Sequence, residues 1–418
     1  MRVAVLGKGG REHCIVCELI ESKTRPEIYV YPGSDAMLKI AKRIEIPQAS
    51  TGCDELVKTM KKIRIDLCIV GSEQYLEDGI ADRCIENRIA VFGPVKSSAR
   101  LETSKVFGKE FMRRNNIPTA DFNIAYNDKE LMNLIKVYPV VLKYDGLAAG
   151  KGVSICYDEK EVKNYINDVF TLKKFGQIKP VIVEECLQGK ELSVICAVSD
   201  GAYRIFPCAR DYKRLFDGDK GPNTGGMGAV ASTSLITANL FLEIKSKIIE
   251  PTIKALLKNE LSYRGFLYFG LILTDAGPKV LEYNCRFGDP EAQAILPLID
   301  GDFTRFIYKA AKGVIDDSLI SSRKGWCTCL VLASQRYPYE SDKGAEIKGL
   351  EAIRMARVYH SGTYFENGCY KVSGGRALSV SAIGYNRESA VSRVYSEIEK
   401  IYFEGMQYRR DIGRLHFE

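Results

Sequence analysis

The chain has 418 residues, enough for two to four domains at about 100–200 residues each. Hydrophobic residues make up 46% and charged residues 27% of it, as in ordinary globular proteins. The 60 lysines and arginines form no basic block among the 53 acidic residues, so the net charge of +7 favours small anionic ligands over nucleic acid.

The apolar stretches are too short for a membrane span or a secretion signal. The N-terminal run reaches glycine at position 7. The longest run, FLYFGLIL at 266–273, is far below the ~18 residues of a membrane helix. We therefore expect a cytoplasmic protein.

The cysteines and histidines are poorly arranged for a metal site or a nucleophilic triad. The 13 cysteines are scattered, and we expect reduced, buried thiols. Cys14 and Cys17 form a CxxC without a second pair, so we interpret them as helix-packing residues. The three histidines, His13, His360 and His416, lie far apart in the sequence, which disfavours a two-histidine site.

The first ninety residues alternate strands with helices. The strands are RVAVL (2–6), EIYVYPGS (27–34), DLCIVGSE (66–73) and RIAVFGP (88–94), and helices are predicted up to Glu21 and over 54–63. This order predicts a doubly wound parallel sheet. Ligands of such sheets bind beyond the carboxyl ends of the strands, so the candidate loops are Gly7–Glu12, Tyr31–Ser34 and Gly71–Leu76.

The first of these loops, GKGGRE, is an incomplete nucleotide fingerprint. Gly7 and Gly9 fit G-x-G-x-x-G, but Glu12 occupies the last position, which weakens a nicotinamide-cofactor interpretation. Either an anion binds at the helix N-terminus or the loop is a tight turn without a ligand.

The rest of the chain mixes helices with hairpins. A helix over 97–116 is followed by Pro118, and residues 120–190 read as a small α+β unit with a polar helix at 158–172. The stretch KPVIVEECLQGKELSVICAVSDG predicts two strands joined by a turn. Further helices are expected at 235–259, 302–316 and 387–403, with a hairpin over 265–284 and mostly strands from Gly325 onward.

The stretch KYDGLAAGKGV (143–153) predicts a glycine-rich lid between two strands. It is not a Walker A loop, because Lys151 is followed by Gly152 where serine or threonine is needed. Glycines let backbone amides approach phosphate oxygens, and Lys143 supplies a positive charge on the preceding strand. A plain glycine turn remains the alternative.

The stretch LEYNCRFGDPE (281–291) carries a more specific signal. Glu282 and Asn284 are two apart on a strand and share a face, and their oxygens suit Mg²⁺. Arg286 continues that face and is placed to bind a phosphoryl oxygen. The alternative is a solvated polar strand edge.

The acids of VIVEECLQGKELS (181–193) allow two interpretations. Glu184 and Glu185 are either solvated charges or mark a strand whose backbone reads adenine, with Glu191 on a ribose hydroxyl.

Taken together, VLGKGGREH, LKYDGLAAGKGV, GPNTGGMGA, EYNCRFGDPEAQ, VYHSGT and RRDIG resemble the glycinamide ribonucleotide synthetase (phosphoribosylamine–glycine ligase) family of the ATP-grasp superfamily. These segments extend from residue 5 to 413. The resemblance implies an N-terminal α/β domain at 1–102, an ATP-grasp domain at 103–323 with a lid at about 120–190, and a mainly β C-terminal domain with a helix at 324–418.

The resemblance also implies a reaction. ATP phosphorylates the carboxylate of glycine, and 5-phosphoribosylamine attacks the acyl phosphate to give glycinamide ribonucleotide, ADP and phosphate. The implied metal is Mg²⁺, with Mn²⁺ as a substitute. We expect small-molecule substrates only, with neither nucleic acid nor membrane as partner, and a monomer.

Site residues follow from the resemblance position by position. Those implied for ATP are Lys105, Lys143, Gly146, Gly150, Gly152, Glu184, Glu185, Leu187 and Glu191. Those implied for glycine, the acyl phosphate or the amine substrate are Gly9, Gly10, Arg11, Glu12, Glu73, Asn223, Thr224, Gly225, Gly226, Asp289 and Glu291. Catalytic roles fall to Arg286, Lys143, Asp211 and Lys213, and metal binding to Glu282 and Asn284.

The chain departs from the family pattern at several places. Ser72, Gln74 and Tyr75 alter the usual GPEAPL, Arg210 and Tyr212 replace glutamine and histidine, and Ala292 replaces threonine. Gly270 stands where many ATP-grasp enzymes have a second metal-binding glutamate. Two rival functions are a carboxylating ATP-grasp enzyme, which would lack GPNTGGMG, and a nucleotide-binding regulator that has lost catalysis.

Overall fold

The computed structural model describes residues 1–46, 52–147 and 152–414. Among those residues, no helix has both the length and the apolar character needed to cross a membrane.

The N-terminal region is a parallel sheet flanked by helices. Its elements are β1 (Arg2–Gly7), α1 (Gly10–Glu21), β2 (Glu27–Pro32), a 3-10 turn (Met37–Lys39), β3 (Lys42–Arg43), α2 (Cys53–Lys62), β4 (Leu67–Val70), α3 (Glu73–Glu77), α4 (Ile80–Glu86) and β5 (Ala90–Phe92). The strand order is β3-β2-β1-β4-β5, with parallel pairings. Residues 3–6 are fully buried, as a strand covered on both faces requires. The predicted doubly wound sheet is confirmed, and the loops after β1 and β4 flank its switch point.

The single helix predicted at 97–116 is wrong. The structure has two helices, α5 (Lys96–Thr103) and α6 (Lys105–Arg114). Ser104 between them is extended, with φ −130° and ψ 109°, and its hydroxyl accepts a hydrogen bond from the amide of Phe107. Ser104 thus caps a new helix instead of continuing the first.

The lid is a small antiparallel sheet with its own core. It contains β6 (Phe122–Ala125), α7 (Asp128–Leu134), β7 (Val140–Tyr144), β8 (Val153–Cys156), α8 (Glu159–Ile166), a π turn (Asn167–Thr171) and β9 (Val181–Glu185), in the strand order β6-β9-β7-β8. The glycine-rich stretch joins β7 to β8, so the predicted strand–loop–strand arrangement is confirmed. Residues 148–151 of that loop lie outside the described residues.

A large antiparallel sheet forms the centre of the molecule. The chain region that supplies its first strands contains, in order, β10 (Lys190–Ser199), β11 (Ala202–Ile205), β12 (Cys208–Asp211), β13 (Arg214–Phe216), β14 (Lys220–Asn223), β15 (Gly228–Ser232), α9 (Ala238–Ile244), a π turn (Lys245–Ile249), α10 (Glu250–Lys258), β16 (Arg264–Thr274) and β17 (Gly277–Asn284). The β13–β14 pair is a separate hairpin outside the sheet. The strands β9 and β10 belong to different sheets, so the turn between them is a crossover from the lid to the central sheet.

The C-terminal part extends the same sheet. It comprises α11 (Glu291–Ile295), a 3-10 turn (Leu296–Leu298), β18 (Ile299–Gly301), α12 (Phe303–Ala311), β19 (Ile320–Ser322), β20 (Trp326–Ala333), a 3-10 turn (Leu350–Ala352), β21 (Arg357–His360), β22 (Thr363–Glu366), β23 (Cys369–Val372), β24 (Arg376–Gly384) and α13 (Arg387–Ile398). The order β17-β16-β10-β12-β15-β20-β24-β21 places strands from both sides of residue 324 in one sheet.

Three predicted helices differ in extent from the observed ones. The segment at 235–259 is interrupted by the π turn, and α13 ends at Ile398 instead of 403. Helix α12 ends at Ala311 because Gly313, with φ +95°, turns the chain back so that Val314 donates to the carbonyl of Lys309. A glycine just past the helix is the usual way to satisfy its last carbonyls.

Candidate active site

A cleft of about 420 Å³ opens between the lid, the β16–β17 hairpin, the loops after β1 and β4, and the start of β24. It is lined by these predicted site residues: Arg11, Glu73, Lys105, Lys143, Gly146, Gly152, Asp211, Lys213, Thr224, Gly225, Glu282, Asn284, Arg286, Asp289 and Glu291. It is not bordered by Gly9, Gly10, Glu12, Glu184, Glu185, Leu187, Glu191, Asn223 or Gly226. Gly150 lies outside the described residues.

The end of β17 presents oxygen ligands to the cleft. Glu282, Tyr283 and Asn284 all border it, but Tyr283 is buried whereas Glu282 and Asn284 are more open, as strand alternation predicts. The side chain of Glu282 is open to the cleft; desolvation by the surrounding protein opposes its ionisation, but Lys213, Lys143 and Lys105 hold its pKa below the ordinary value. Gly270 is the register partner of Glu282 on β16, which agrees with the position inferred from the sequence.

These two side chains fit a magnesium ion that is shared with a substrate. An ionised carboxylate and an amide oxygen are ligands that Mg²⁺ accepts, and it keeps waters and phosphate oxygens for its remaining positions. No group of three or more His, Cys, Asp or Glu side chains within the described ranges could hold an ion unaided. Glu282 and Asn284 would therefore leave the remaining positions of the ion to waters and to a bound phosphate.

Arg286 is held by two carboxylates. Its Nε donates to Glu73 over 3.0 Å, and its Nη2 lies 2.8 Å from Glu102 Oε1. Although burial acts in the opposite direction, these two carboxylates raise the pKa of Arg286. The pKa of Glu73 falls to about 2 despite burial, because Arg286 and Arg11 lie beside it. The predicted contact of Arg286 with a phosphoryl group stays a prediction, since both nitrogens of that edge are paired within the protein here.

Lys143 is positioned by a buried carboxylate. Its Nζ lies 2.9 Å from Glu184 Oε2 and donates to the carbonyl of Leu281, 3.2 Å away. Glu184 Oε1 lies 3.1 Å from the Nζ of Lys109, and Glu184 is 2% exposed. Glu184 therefore orients a lysine of the cleft and is not a solvated charge.

Glu185 and Lys105, two further residues predicted to bind ATP, also have partners within the protein. Glu185 is exposed and accepts from the amide of Asp121 and from Lys279. Lys105 donates to the carbonyl of Gly146 over 2.9 Å, at the root of the lid.

Lys213 links two acids on neighbouring strands. It contacts Glu191, and its Nζ lies 3.5 Å from Asp211 Oδ2. Burial raises the pKa of Asp211 to about 7, although Lys213 works in the opposite direction. The same pair of acids raises the pKa of Lys213 against the effect of burial. The carboxylate of Asp211 is therefore easier to protonate than that of an ordinary aspartate.

Arg376 joins the C-terminal strand β24 to the cleft. Its Nη1 donates to the carbonyls of Gly225, at 2.5 Å, and Asp289, at 2.8 Å. It also lies 3.3 Å from Asp289 Oδ1. Burial favours the neutral form of Asp289, but Arg376 and Arg11 keep its pKa below the ordinary value.

The first glycine loop is packed around Glu12. One oxygen of Glu12 accepts from the amide of Gly9 over 2.7 Å, and the other from Nε of Arg11 over 2.6 Å. A side chain at Gly7 or at Gly71 would lie 2.5 Å from Glu12 atoms. These glycines therefore leave room for a buried glutamate that caps α1, and Glu12 is directed into the protein.

His13 and His360, far apart in the sequence, meet in the structure. The amide of His360 donates to Nδ1 of His13 over 2.9 Å, and the ring centroids are 5.8 Å apart. Burial lowers the pKa of His13 to about 4 and of His360 to about 3. Both rings are neutral at pH 7 and lie outside the cleft, so they join α1 to β21 as packing groups.

The departures from the family pattern lie mostly away from the cleft. Tyr212 follows the last residue of β12 and is buried in the C-terminal core, and its hydroxyl accepts from the amide of Gly413 over 3.2 Å. Gln74 donates to Asp78, and Tyr75 packs against Tyr31, with ring centroids 6.4 Å apart. Ala292 is fully buried in α11.

Three charged residues of the site were not identified from the sequence: Glu102, Lys109 and Arg376. Glu102 and Lys109 occupy helical positions that read as solvent-facing, and Arg376 follows two glycines at a strand start. The local sign that Glu102 is buried was its position next to Leu101, which is itself buried.

Comparisons with known proteins point to one family along the whole chain. Three sequence models of phosphoribosylglycinamide synthetase match: the N domain at residues 1–102, the ATP-grasp (A) domain at 103–292 and the C domain at 327–415. The phosphoribosylamine–glycine ligase of Caldanaerobacter subterraneus is 41% identical over 416 residues, covering 99% of both chains.

Solved structures agree with this match. The crystal structure of phosphoribosylamine–glycine ligase from Thermotoga maritima has a TM-score of 0.85 and 35% identity, covering 99% of this chain and 100% of that one. A biotin carboxylase from Campylobacter jejuni has a TM-score of 0.73 at 15% identity, covering 97% and 92%. The latter similarity concerns the fold alone.

Proposed function

The chain belongs to the phosphoribosylglycinamide synthetase family, and from that premise we propose that it joins glycine to 5-phosphoribosylamine at the expense of ATP. It is an ATP-dependent ligase of purine biosynthesis, and its products are glycinamide ribonucleotide, ADP and phosphate. The observation that carries the proposal is one cleft to which all three matched regions contribute charged residues, with Arg11 from the first, Lys143 and Glu282 from the second, and Arg376 from the third.

The ATP end of the cleft is assigned to the lid and β17. Lys105 and Lys143 supply positive charge for the phosphates, and Gly146 and Gly152 allow close approach of the lid backbone. Glu282 and Asn284 would hold Mg²⁺, for which Mn²⁺ is a substitute. When bound, this ion supplies charge neutralisation for the phosphoryl group.

The glycine end is assigned to Asp211, Lys213 and the Thr224–Gly225 turn. The carboxylate of Asp211 suits the ammonium group of glycine, and Lys213 suits its carboxylate and the acyl phosphate that follows. The amine substrate is assigned to the loops after β1 and β4, where Arg11 faces the cleft beside Glu73.

The reaction needs no protein nucleophile. An oxygen of the glycine carboxylate bonds to the γ-phosphorus as the bond to ADP breaks. The amine nitrogen of phosphoribosylamine then bonds to the carbonyl carbon, the C–O bond to phosphate breaks, and the nitrogen loses a proton. The protein contributes positioning, charge neutralisation and a lid that keeps water from the acyl phosphate.

We further propose domain boundaries at 102/103 and 323/324, a monomer, and a cytoplasmic location. Of the rival functions, a carboxylase is disfavoured because the carboxylase similarity is 15% against 41% for the ligase. A regulator without catalysis is disfavoured because Lys143, Glu282, Asn284 and Arg286 all line the cleft.

The test is phosphate release from Mg-ATP with each substrate alone and with both. The proposal predicts release that requires glycine and phosphoribosylamine together, and that falls at least 100-fold, as an order of magnitude, in Glu282→Ala. Arg286→Ala should show a comparable loss. ATP binding without release under any of these conditions would contradict the ligase and favour the regulator.

A further inference from the structure

The hairpin β13–β14 carries the glycine end of the cleft at its base. Lys213 immediately precedes the hairpin, Asp211 ends the strand before it, and Thr224 follows the hairpin. The amide and the hydroxyl of Thr224 both donate to the carbonyl of Lys213, each over 2.8 Å. Because these contacts close the base, any change in the direction of the hairpin moves Lys213 and Thr224 together.

The tip of this hairpin is bound by the C-terminal segment at 409–411. The amide of Arg410 donates to Asp217 over 2.7 Å, and the amide of Gly218 donates to Asp411 over 2.8 Å. Nη1 of Arg409 donates to Asp219 over 2.7 Å. Three consecutive residues of the tip are thus held by three consecutive residues of the segment.

Arg409 is the centre of this contact. It is 1% exposed, and its Nε and Nη2 bind Asp411 in a bidentate pair at 2.8 and 2.7 Å. Its Nη1 also donates, over 3.1 Å, to the carbonyl of Arg214, the residue that follows Lys213. A buried guanidinium is tolerated only when its donors are satisfied, so this arrangement fixes the geometry of every group that it binds.

The segment is itself fixed to the C-terminal core. Ile412 packs in the cluster that also contains Tyr212, Val394 and Phe403. The guanidinium of Arg409 lies 5.1 Å from the centre of the Tyr212 ring, and the Tyr212 hydroxyl accepts from Gly413. Tyr212, one of the departures from the family pattern, therefore belongs to the same anchor.

We propose that Arg409 is a positioning residue for the ligase reaction, acting through the tip of the β13–β14 hairpin to hold Lys213 and Thr224 at the glycine end of the cleft. The inference rests on the proposed function, which assigns glycine to those residues. Arg409 does not line the cleft, so it would act on the substrate only indirectly, by way of the hairpin.

The test compares Asp219→Asn and Arg409→Gln with Arg410→Gln as the matched control. Asp219 is 44% exposed in a turn with φ +53°, a conformation that asparagine also accepts, so the first variant should fold even if Arg409→Gln does not. Arg410 is the neighbouring arginine with an exposed side chain. We expect KM for glycine to rise about tenfold in Asp219→Asn, with little change in kcat or in the dissociation constant of a non-hydrolysable ATP analogue. Arg409→Lys should recover part of the loss in Arg409→Gln.

Hydrogen exchange of the amides at 213–224 separates this inference from the proposed function. Faster exchange there in Asp219→Asn, but not in Arg410→Gln, supports the positioning role even if the wild type does not turn over glycine. A glycine KM within twofold of wild type in Asp219→Asn, or unchanged exchange at 213–224, would overturn it and leave Arg409 a structural residue only. A wild type that releases phosphate without glycine would instead count against the proposed function.

Discussion

Replacing Lys109 with methionine should remove a pH-dependent part of the free energy of unfolding. Lys109 is 3% exposed, and its Nζ lies 3.1 Å from Glu184 and 2.6 Å from the hydroxyl of Thr119. Burial lowers its pKa from 10.5 to about 8, with partial compensation by Glu184. The unfolded chain therefore binds more protons than the folded chain between about pH 8 and 10.5, and stability from this group rises with pH across that window.

The size of the effect follows from the gap between the two pKa values. A gap of about 2.5, at about 1.36 kcal/mol for each unit, gives roughly 3 kcal/mol, of which about 2 kcal/mol falls between about pH 7.5 and 10. Urea unfolding of the wild type and Lys109→Met at both pH values measures it, with Lys254→Met as a control at an exposed helical lysine. We expect the wild type to gain about 2 kcal/mol relative to Lys109→Met as the pH rises. The quantity to follow is the free energy of unfolding of the wild type minus that of Lys109→Met. If this quantity stays constant or falls as the pH rises, Lys109 is not a buried lysine with a lowered pKa.

Three further predictions concern the cleft and its support. In the wild type, kcat/KM for glycine should fall as the pH drops through about 7, because Asp211 becomes protonated. Asp211→Asn should lack this decline, and a decline that persists in the variant would point to another group. Glu184→Gln leaves Lys109 and Lys143 without their carboxylate, so the free energy of unfolding measured in urea should fall by about 3–5 kcal/mol and KM for ATP should rise. The same change at the exposed neighbour, Glu185→Gln, should cost less than about 1 kcal/mol, and equal costs would contradict the assigned role of Glu184. Gly7→Ala should raise KM for phosphoribosylamine and destabilise the protein by about 2 kcal/mol or more, since the new Cβ would lie 2.5 Å from Glu12. The control Gly52→Ala is also at positive φ but has no atom within 4 Å of its Cβ, so it measures the backbone strain alone, and similar costs in both variants would exclude the clash with Glu12.

The sequence was sufficient where local pattern decides structure. Continuous apolar runs at 3–6 and 67–70, each followed by glycine, predicted the strands and loops of the first sheet. The alternation of Glu282, Tyr283 and Asn284 predicted that Tyr283 is buried while Glu282 and Asn284 remain open. Both inferences use the geometry of a strand, which depends on neighbouring residues only.

Long-range pairing could not be predicted in the same way. Glu184 orients Lys143, and Glu102 binds Arg286, only because separate strands and helices place them within 3 Å of each other. His13 and His360 are 347 residues apart and still share a hydrogen bond. The break at Ser104 was missed for a local reason, because a serine within a helical pattern can either continue that helix or cap the next one.

The most direct test of the account follows an oxygen atom of glycine. Glycine carrying ¹⁸O in both carboxylate positions is supplied with Mg-ATP and phosphoribosylamine, and the released phosphate is analysed by mass spectrometry. If the carboxylate is phosphorylated and the amine then displaces phosphate, each phosphate released should carry one ¹⁸O atom. Phosphate without the label, formed while glycinamide ribonucleotide accumulates, would contradict the acyl phosphate route.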